Sequence, residues 1–228
     1  MIVTKAASAS ELIQSVEQAD SPSRLIAAVR ALADACLEAG IPTLISVLGY
    51  NNPEAAVIAV DGLIQLGKVA VPALLEQLDD YNYGARAYSF RALAAIADPR
   101  AIDVLLNAAE ADFAPSVRRA AAKGLGNLDW SQLPADQRRA AQDRALKALL
   151  HISTDADWAI RYAAVVGLQG LAEFALGQSP AALSLPTDWM SPIGDRFEQM
   201  AKADADLAVR ARVAVAQQQL EDSHENTT

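Results

Sequence analysis

The chain has 228 residues, 52% hydrophobic but only 5% aromatic, and carries a formal net charge of −9 with a pI near 4.7. Such an acidic surface repels phosphate backbones, which argues against nucleic-acid partners and fits a cytoplasmic protein that handles other proteins or small ligands. No run of 18 apolar residues calls for membrane insertion, residues 1–10 contain no secretory core, and a single cysteine excludes an internal disulfide or an all-cysteine metal site.

Two helices are predicted at the front, in SASELIQSVEQAD and SPSRLIAAVRALADACLEAG. Cys36 falls on the apolar stripe of the second and is expected as a buried core thiol. Helix pairs follow. IPTLISVLG precedes NPEAAVIAVDGLIQL, and VAVPALLEQL precedes NYGARAYSFRALAAI. PRAIDVLLNAAEA precedes APSVRRAAAKGLGNL, QDRALKALLHI precedes DWAIRYAAVVGLQGL, and GDRFEQMAKA precedes DLAVRARVAVAQQQL.

The second members align on one slot, filled by Ala56, Arg86, Arg118, Arg161 and Arg210. Six residues past it stand Gly62, Ala92, Gly124, Gly167 and Ala216; seven past it, Leu63, Leu93, Leu125, Leu168 and Gln217. Offsets of three, four, seven and ten trace one helical stripe, with the small residue beside it where a neighbouring helix can approach. Leu44, Leu74, Leu106 and Leu149 all fall twelve residues before the slot, on the first members. Four before it stand Asn52, Asn82, Asp157 and Asp206, which suit N-caps, while Pro53 and Pro115 suit first turns. Slots about 30 to 50 residues apart have the period of helix-pair solenoids. The expected fold is all-α: an α-solenoid of about five HEAT-like helix pairs behind an extra N-terminal helical pair. It forms a single array over residues 1–221, with a disordered tail over 222–228. Two insertions interrupt the period, NLDWSQLPADQ and the longer EFALGQSPAALSLPTDWMSP, a length typical of functional loops.

Chemistry is sparse. His151 and His224 are the only histidines, so neither a metal site nor a Ser–His–Asp or Cys–His centre is expected, and His151 reads as a capping or packing residue at a helix end. The slot arginines are expected to bond carbonyls or acids of the adjacent repeat. Offsets one, two and five lie on the opposite helix face and carry Asp61, Tyr88, Arg91, Arg119, Lys123 and Tyr162. This is either a solvated surface or a concave groove whose cations hold a ligand's carboxylates while the rings stack. Trp130, Trp158, Tyr81 and Tyr83 add aromatic groups at repeat edges, as core or as partner anchors.

The stretches YNYGARAY, DFAPSVRRAAAKGLG and DWAIRYAAVVGL resemble the E/F-type phycobilin lyases of cyanobacteria, and the region before them is most similar to the F-type branch. The resemblance covers about residues 10–172. It implies a subunit that acts with an E-type partner to attach phycocyanobilin through a thioether to a cysteine of the phycocyanin α subunit. The only cysteine lies in DACLEAG, outside any Asn-His-Cys motif, which implies attachment without isomerisation. The bilin is a substrate, and no permanently bound cofactor or metal is expected. On this reading Arg91, Arg119 and Lys123 are candidates to pair with the bilin's propionates, and Tyr83, Tyr88, Trp158 and Tyr162 to pack on its rings. Asp61 and Asp157 are the candidate carboxylates that favour the protonated, more electrophilic pigment. The family also contains HEAT proteins that bind phycobiliproteins without attaching pigment, so a non-catalytic chaperone or adaptor is the alternative.

Overall fold

The computed structural model describes residues 8–78, 82–177 and 190–225. By its internal contacts the chain divides into two compact units, Met1–Ile96 and Ala97–Thr228, each described by itself.

In the front unit α1 (Ala9–Glu17) and α2 (Pro22–Asp34) form the extra pair. Ser8 and Glu11 close a capping box on α1: Glu11 N donates to Ser8 Oγ at 3.3 Å and Ser8 N to Glu11 Oε2 at 2.7 Å. Two further pairs follow, α3 (Ile41–Val47) with α4 (Pro53–Leu66) and α5 (Val71–Glu76) with α6 (Tyr83–Ile96). Pro53 opens α4, and Asn52 and Asn82 accept from the N–H groups of Ala55 and Ala85 at 3.1 and 3.0 Å. Both asparagines are therefore the predicted caps. The interior is aliphatic: Leu32 and Ala33 of α2, Leu44 of α3 and Leu63 of α4 are all buried. Gly62 lets α4 approach α2, since a Cβ there would stand 2.7 Å from that of Ala33.

The back unit repeats the plan three times. Its pairs are α7 (Ile102–Ala111) with α8 (Pro115–Asn127), α9 (Ala135–Ile152) with α10 (Trp158–Leu176), and α11 (Met190–Ala203) with α12 (Leu207–Glu225). The expected helix pairs are all present, and no strand occurs among the described residues. α10 lies between α8 and α12 and also packs on α9. Its length and apolar composition would suit a membrane span, but Ile160, Ala163, Ala164, Val165, Leu168 and Leu171 are buried in the unit's own core.

Glycine and arginine set these joints. A Cβ on Gly167 would lie 2.5 Å from the Ala122 carbonyl oxygen, and one on Gly126 would strike the backbone of Gly167. Arg118 and Arg161 form the predicted ladder, while Arg210 donates to the Asp204 carbonyl in its own pair's turn. Arg118 of α8 donates from Nε to the Ala109 carbonyl at 3.2 Å and from Nη2 to Asp155, in the next pair's turn, at 2.5 Å. Arg161 of α10 donates from Nη1 to the Asp155 carbonyl at 2.9 Å and forks onto both oxygens of Asp204, in the following turn, at 2.7 Å each. The fork holds the Asp204 carboxyl below the usual aspartate range and raises Arg161 in turn. Each rung acid also orders its own turn, Asp155 accepting from Asp157 N at 2.8 Å and Asp204 from Asp206 N at 2.9 Å.

Three sequence expectations change. Cys36 is exposed rather than buried, because α2 ends at Asp34 and Cys36 takes a left-handed conformation (φ 47°) that carries it off the stripe. Its thiol lies 3.4 Å from Gln65 Oε1. His151 is exposed, so its side chain does not pack; its carbonyl accepts from Thr154 N at 3.1 Å as α9 ends. α12 runs on to Glu225, into the stretch expected as tail, with Ser223 Oγ donating to the Gln219 carbonyl at 2.8 Å. Of the two readings left open for Trp130, the structure selects core: the ring is fully buried.

Candidate functional face

In the front unit, α4 and α6 pack side by side and carry the first group of candidates. Asp61 is exposed on α4 and Arg91 is exposed on α6, where its guanidinium lies 5.5 Å from the centre of the half-buried Tyr88 ring. This i, i+3 stacking holds the cation and ring together on one helix face. Tyr83, the first residue of α6, is 59% exposed at the helix end, apart from that face along the axis. Tyr81 lies outside the described residues.

The back unit carries the second group. Arg119 and Lys123 are one turn apart on α8 and both are exposed. Neither has a hydrogen bond or ion pair among the described residues, so this face presents two uncommitted cations. Tyr162 of α10 occupies the offset of Arg119 and is half-buried. Asp157 and Trp158 sit elsewhere, at the N-terminal edge of α10. Asp157 is the helix N-cap, its Oδ1 accepting from Ala159 N at 2.8 Å, and Trp158 is 48% exposed. Arg119 and Lys123 thus share one face of α8, Tyr162 stands at the same offset on the adjacent α10, and Asp157, Trp158 and Tyr83 lie at helix ends.

A polar cluster between α10 and α12 escaped the sequence reading. Arg212 donates to Gln169 Oε1, while Gln169 Nε2 donates to Glu173 Oε1 at 2.5 Å and to Gln219 Oε1 at 2.7 Å. Nη1 of Arg212 is buried without a hydrogen-bond partner. Arg212 stands at offset two of its helix, so the pattern that selected Tyr88 contains its signal. The exposed edge also includes Phe113 at 72%, for which the sequence offers no comparable signal. No group of three or more metal-ligating side chains occurs among the described residues.

The HEAT-repeat family matches residues 71–169. The chain is 58% identical to the phycocyanobilin lyase subunit beta of Nostoc sp. strain PCC 7120, over 92% of this chain and 98% of that protein. It is 49% identical to the phycobilisome maturation protein of Synechococcus elongatus, over 92% and 97% of the two chains. Among solved structures it superposes with a TM-score of 0.70 and 60% identity on a chain of the complex of CpcE and CpcF of phycocyanin lyase from Nostoc sp. PCC7120. That superposition covers 78% of this chain and 98% of the other. At such identity over nearly full length, the chain belongs to the F-type branch of the E/F phycobilin lyase family.

Proposed function

We propose that this protein is the F-type subunit of a heterodimeric phycocyanobilin lyase. With an E-type subunit it attaches phycocyanobilin to a cysteine of the phycocyanin α subunit. The observation that carries this reading is near-full-length similarity to a lyase beta subunit, together with the match to a chain of a solved E–F complex. In the reaction the acceptor's cysteine sulfur bonds to the ethylidene carbon of the bilin A ring and the proton goes to the other alkene carbon. The addition has no leaving group, and the nucleophile comes from the acceptor, so the lyase needs no thiol of its own.

The task left to the lyase is positioning, which removes much of the entropic barrier when the reacting atoms are held in near-attack geometry. Arg119 and Lys123 supply cations for propionate, with the Tyr162 ring on the neighbouring helix. In the front unit the Arg91–Tyr88 pair offers the same combination of charge and ring, with Asp61 on the adjacent helix as the carboxylate that favours a protonated pyrrole. Trp158 and Tyr83 present rings at helix ends. Asp157 already caps α10, so its charge rather than its hydrogen-bonding capacity is what it has to offer a bilin. The protein works in the cytoplasm, where pigment and nascent acceptor meet.

Co-expression of this chain, an E-type subunit, phycocyanin α and a source of phycocyanobilin tests the reading. The expected result is an acceptor that stays coloured under denaturing conditions, and only when both subunits are present. Similarity to a phycobilisome maturation protein favours a second reading, a chaperone without transferase chemistry. That reading predicts improved acceptor yield with no covalent colour.

A further inference from the structure

The two joints of the back unit fill the same positions differently. Eight residues past the slot on α8 and nine past it on α10 stand Gly126 and Gly170. A Cβ on Gly170 would lie 2.6 Å from the Gly126 carbonyl oxygen. At the next joint these two positions hold Gln169 and Gln219, whose amides bond at 2.7 Å. Arg212 enters that joint from α12 and donates to Gln169 Oε1. It makes no ion pair among the described residues: Glu173, the acid of the cluster, takes its bond from Gln169. Nη1 of Arg212 is buried without a hydrogen-bond partner. Glycine alone closes the preceding joint, so helix packing does not call for this cluster. A half-buried guanidinium without a counter-charge is costly, and an anion beside it offsets that cost.

The position of Arg212 says where that anion comes from. α10 packs on α8 at one side and on α12 at the other. Lys123 stands five past the slot on α8, Tyr162 and Val166 one and five past it on α10, and Arg212 two past it on α12. At about 100° per residue these offsets fall within roughly a third of a turn. All four therefore belong to one flank of three helices, whose register the arginine rungs hold. Tyr162 and Val166 are half-buried and form a strip with a cation on either side. Packed helix axes lie about 8–10 Å apart. Lysine and arginine are long enough to lean over α10 from both sides, which brings their charges within the span of two carboxylates on neighbouring rings of one ligand. We propose that Arg212 is the second carboxylate anchor of this face. Arg119 and Lys123 hold one propionate of the pigment, Arg212 holds the other, and the pigment lies across α10 on Tyr162 and Val166. The propionate gives the guanidinium the counter-charge it lacks, and the face selects a diacid over a pigment whose carboxyls are blocked. That the diacid is phycocyanobilin rests on the function proposed above.

The test crosses a protein change with a ligand change. The full chain, assembled with an E-type subunit, is titrated with phycocyanobilin and with its dimethyl ester, and binding is read from the pigment's absorbance. Arg212→Met is expected to weaken binding of the diacid by about tenfold or more, the worth of one charged hydrogen bond, and to leave binding of the ester unchanged. Arg212→Lys keeps the cation without the fork, so it should lose less on the diacid and nothing on the ester; it carries the test if the methionine variant does not fold. Arg24→Met, in the front helices, should bind both pigments as the natural chain does. Equal losses on diacid and ester would make Arg212 a brace between α10 and α12 and overturn the proposal. No loss on either pigment would overturn it as well, while the lyase reading stands. If the natural assembly neither binds phycocyanobilin nor transfers it, the functional reading fails and this anchor with it.

Discussion

The joint between α2 and α4 and the joints that carry α8 to α10 to α12 solve one packing problem in two ways. At the α2–α4 joint the slot holds Ala56, fully buried, and the contact is apolar, with Gly62 against Ala33. In the back unit glycine meets backbone at Gly126 and Gly167, and an arginine–aspartate rung spans each joint. Small residues set how near two helices come, and they suffice without a rung. The rung adds direction: an arginine on one pair must find the turn of the next, so slipped packings leave a buried guanidinium unpaired. The ladder therefore specifies register where the repeats are longest and most irregular.

The largest expected effect comes from opening the rung. Asp204→Ala should destabilise the protein by about 3–5 kcal/mol, because Arg161 keeps its charge in a site where its side chain is only 14% exposed. Chemical denaturation measures this, and a loss under ~1 kcal/mol, the range of an exposed pair, would reduce the rung to a surface contact. The same pair gives a pH signature. The folded Asp204 carboxyl is depressed, chiefly by its bond from Arg161. Its contribution is therefore complete above the ordinary aspartate value near ~4 and is lost as pH falls through the lower folded value. Acid unfolding of Asp204→Asn should lack that component.

A smaller effect, about 1–3 kcal/mol, is expected for Gly167→Ala, whose new methyl meets a carbonyl oxygen and Leu149. Gly62→Ala should cost a similar amount, because the Ala33 Cβ at 2.7 Å and Cα at 3.1 Å are fixed to α2 and cannot turn aside. A loss near zero at either position would show that the helices can move apart there. Gly194→Ala should do the reverse: it lies within α11 with nothing within 4 Å of a new Cβ, and thermal melting should show a gain of about 0.5–1 kcal/mol.

Much of this architecture is legible in the sequence because a repeat reports each feature several times. One arginine means little, but four in register, three of them with a cap residue four positions earlier and all with a small residue six later, fix helix ends, faces and neighbours together. What was not legible depends on a single local geometry. Cys36 looked like core because the stripe continues through it, and only the chain's turn at φ 47° takes it to the surface. Trp130 and Trp158 both stand near repeat edges, yet one is fully buried and the other half exposed; an inserted turn folds the first inward. The candidate face was legible only as helix offsets, which place Arg119 and Lys123 on α8 and Tyr162 on the adjacent α10. Offsets cannot show that Asp157 is engaged as a cap or that Arg212 joins a network with Gln169.

The central claim is that the exposed cations of α6 and α8 and the carboxylate that caps α10 each contribute to holding the pigment for transfer. The most direct measurement is the rate of phycocyanobilin transfer to phycocyanin α by Arg91→Ala, Arg119→Ala and Asp157→Asn, each assembled with the E-type subunit. Asparagine caps a helix as well as aspartate does, so the last change removes charge while sparing α10. The account predicts that each arginine variant loses about tenfold or more in rate, the worth of one charged hydrogen bond, with folding and subunit association intact. Transfer at the natural rate by all three would contradict it.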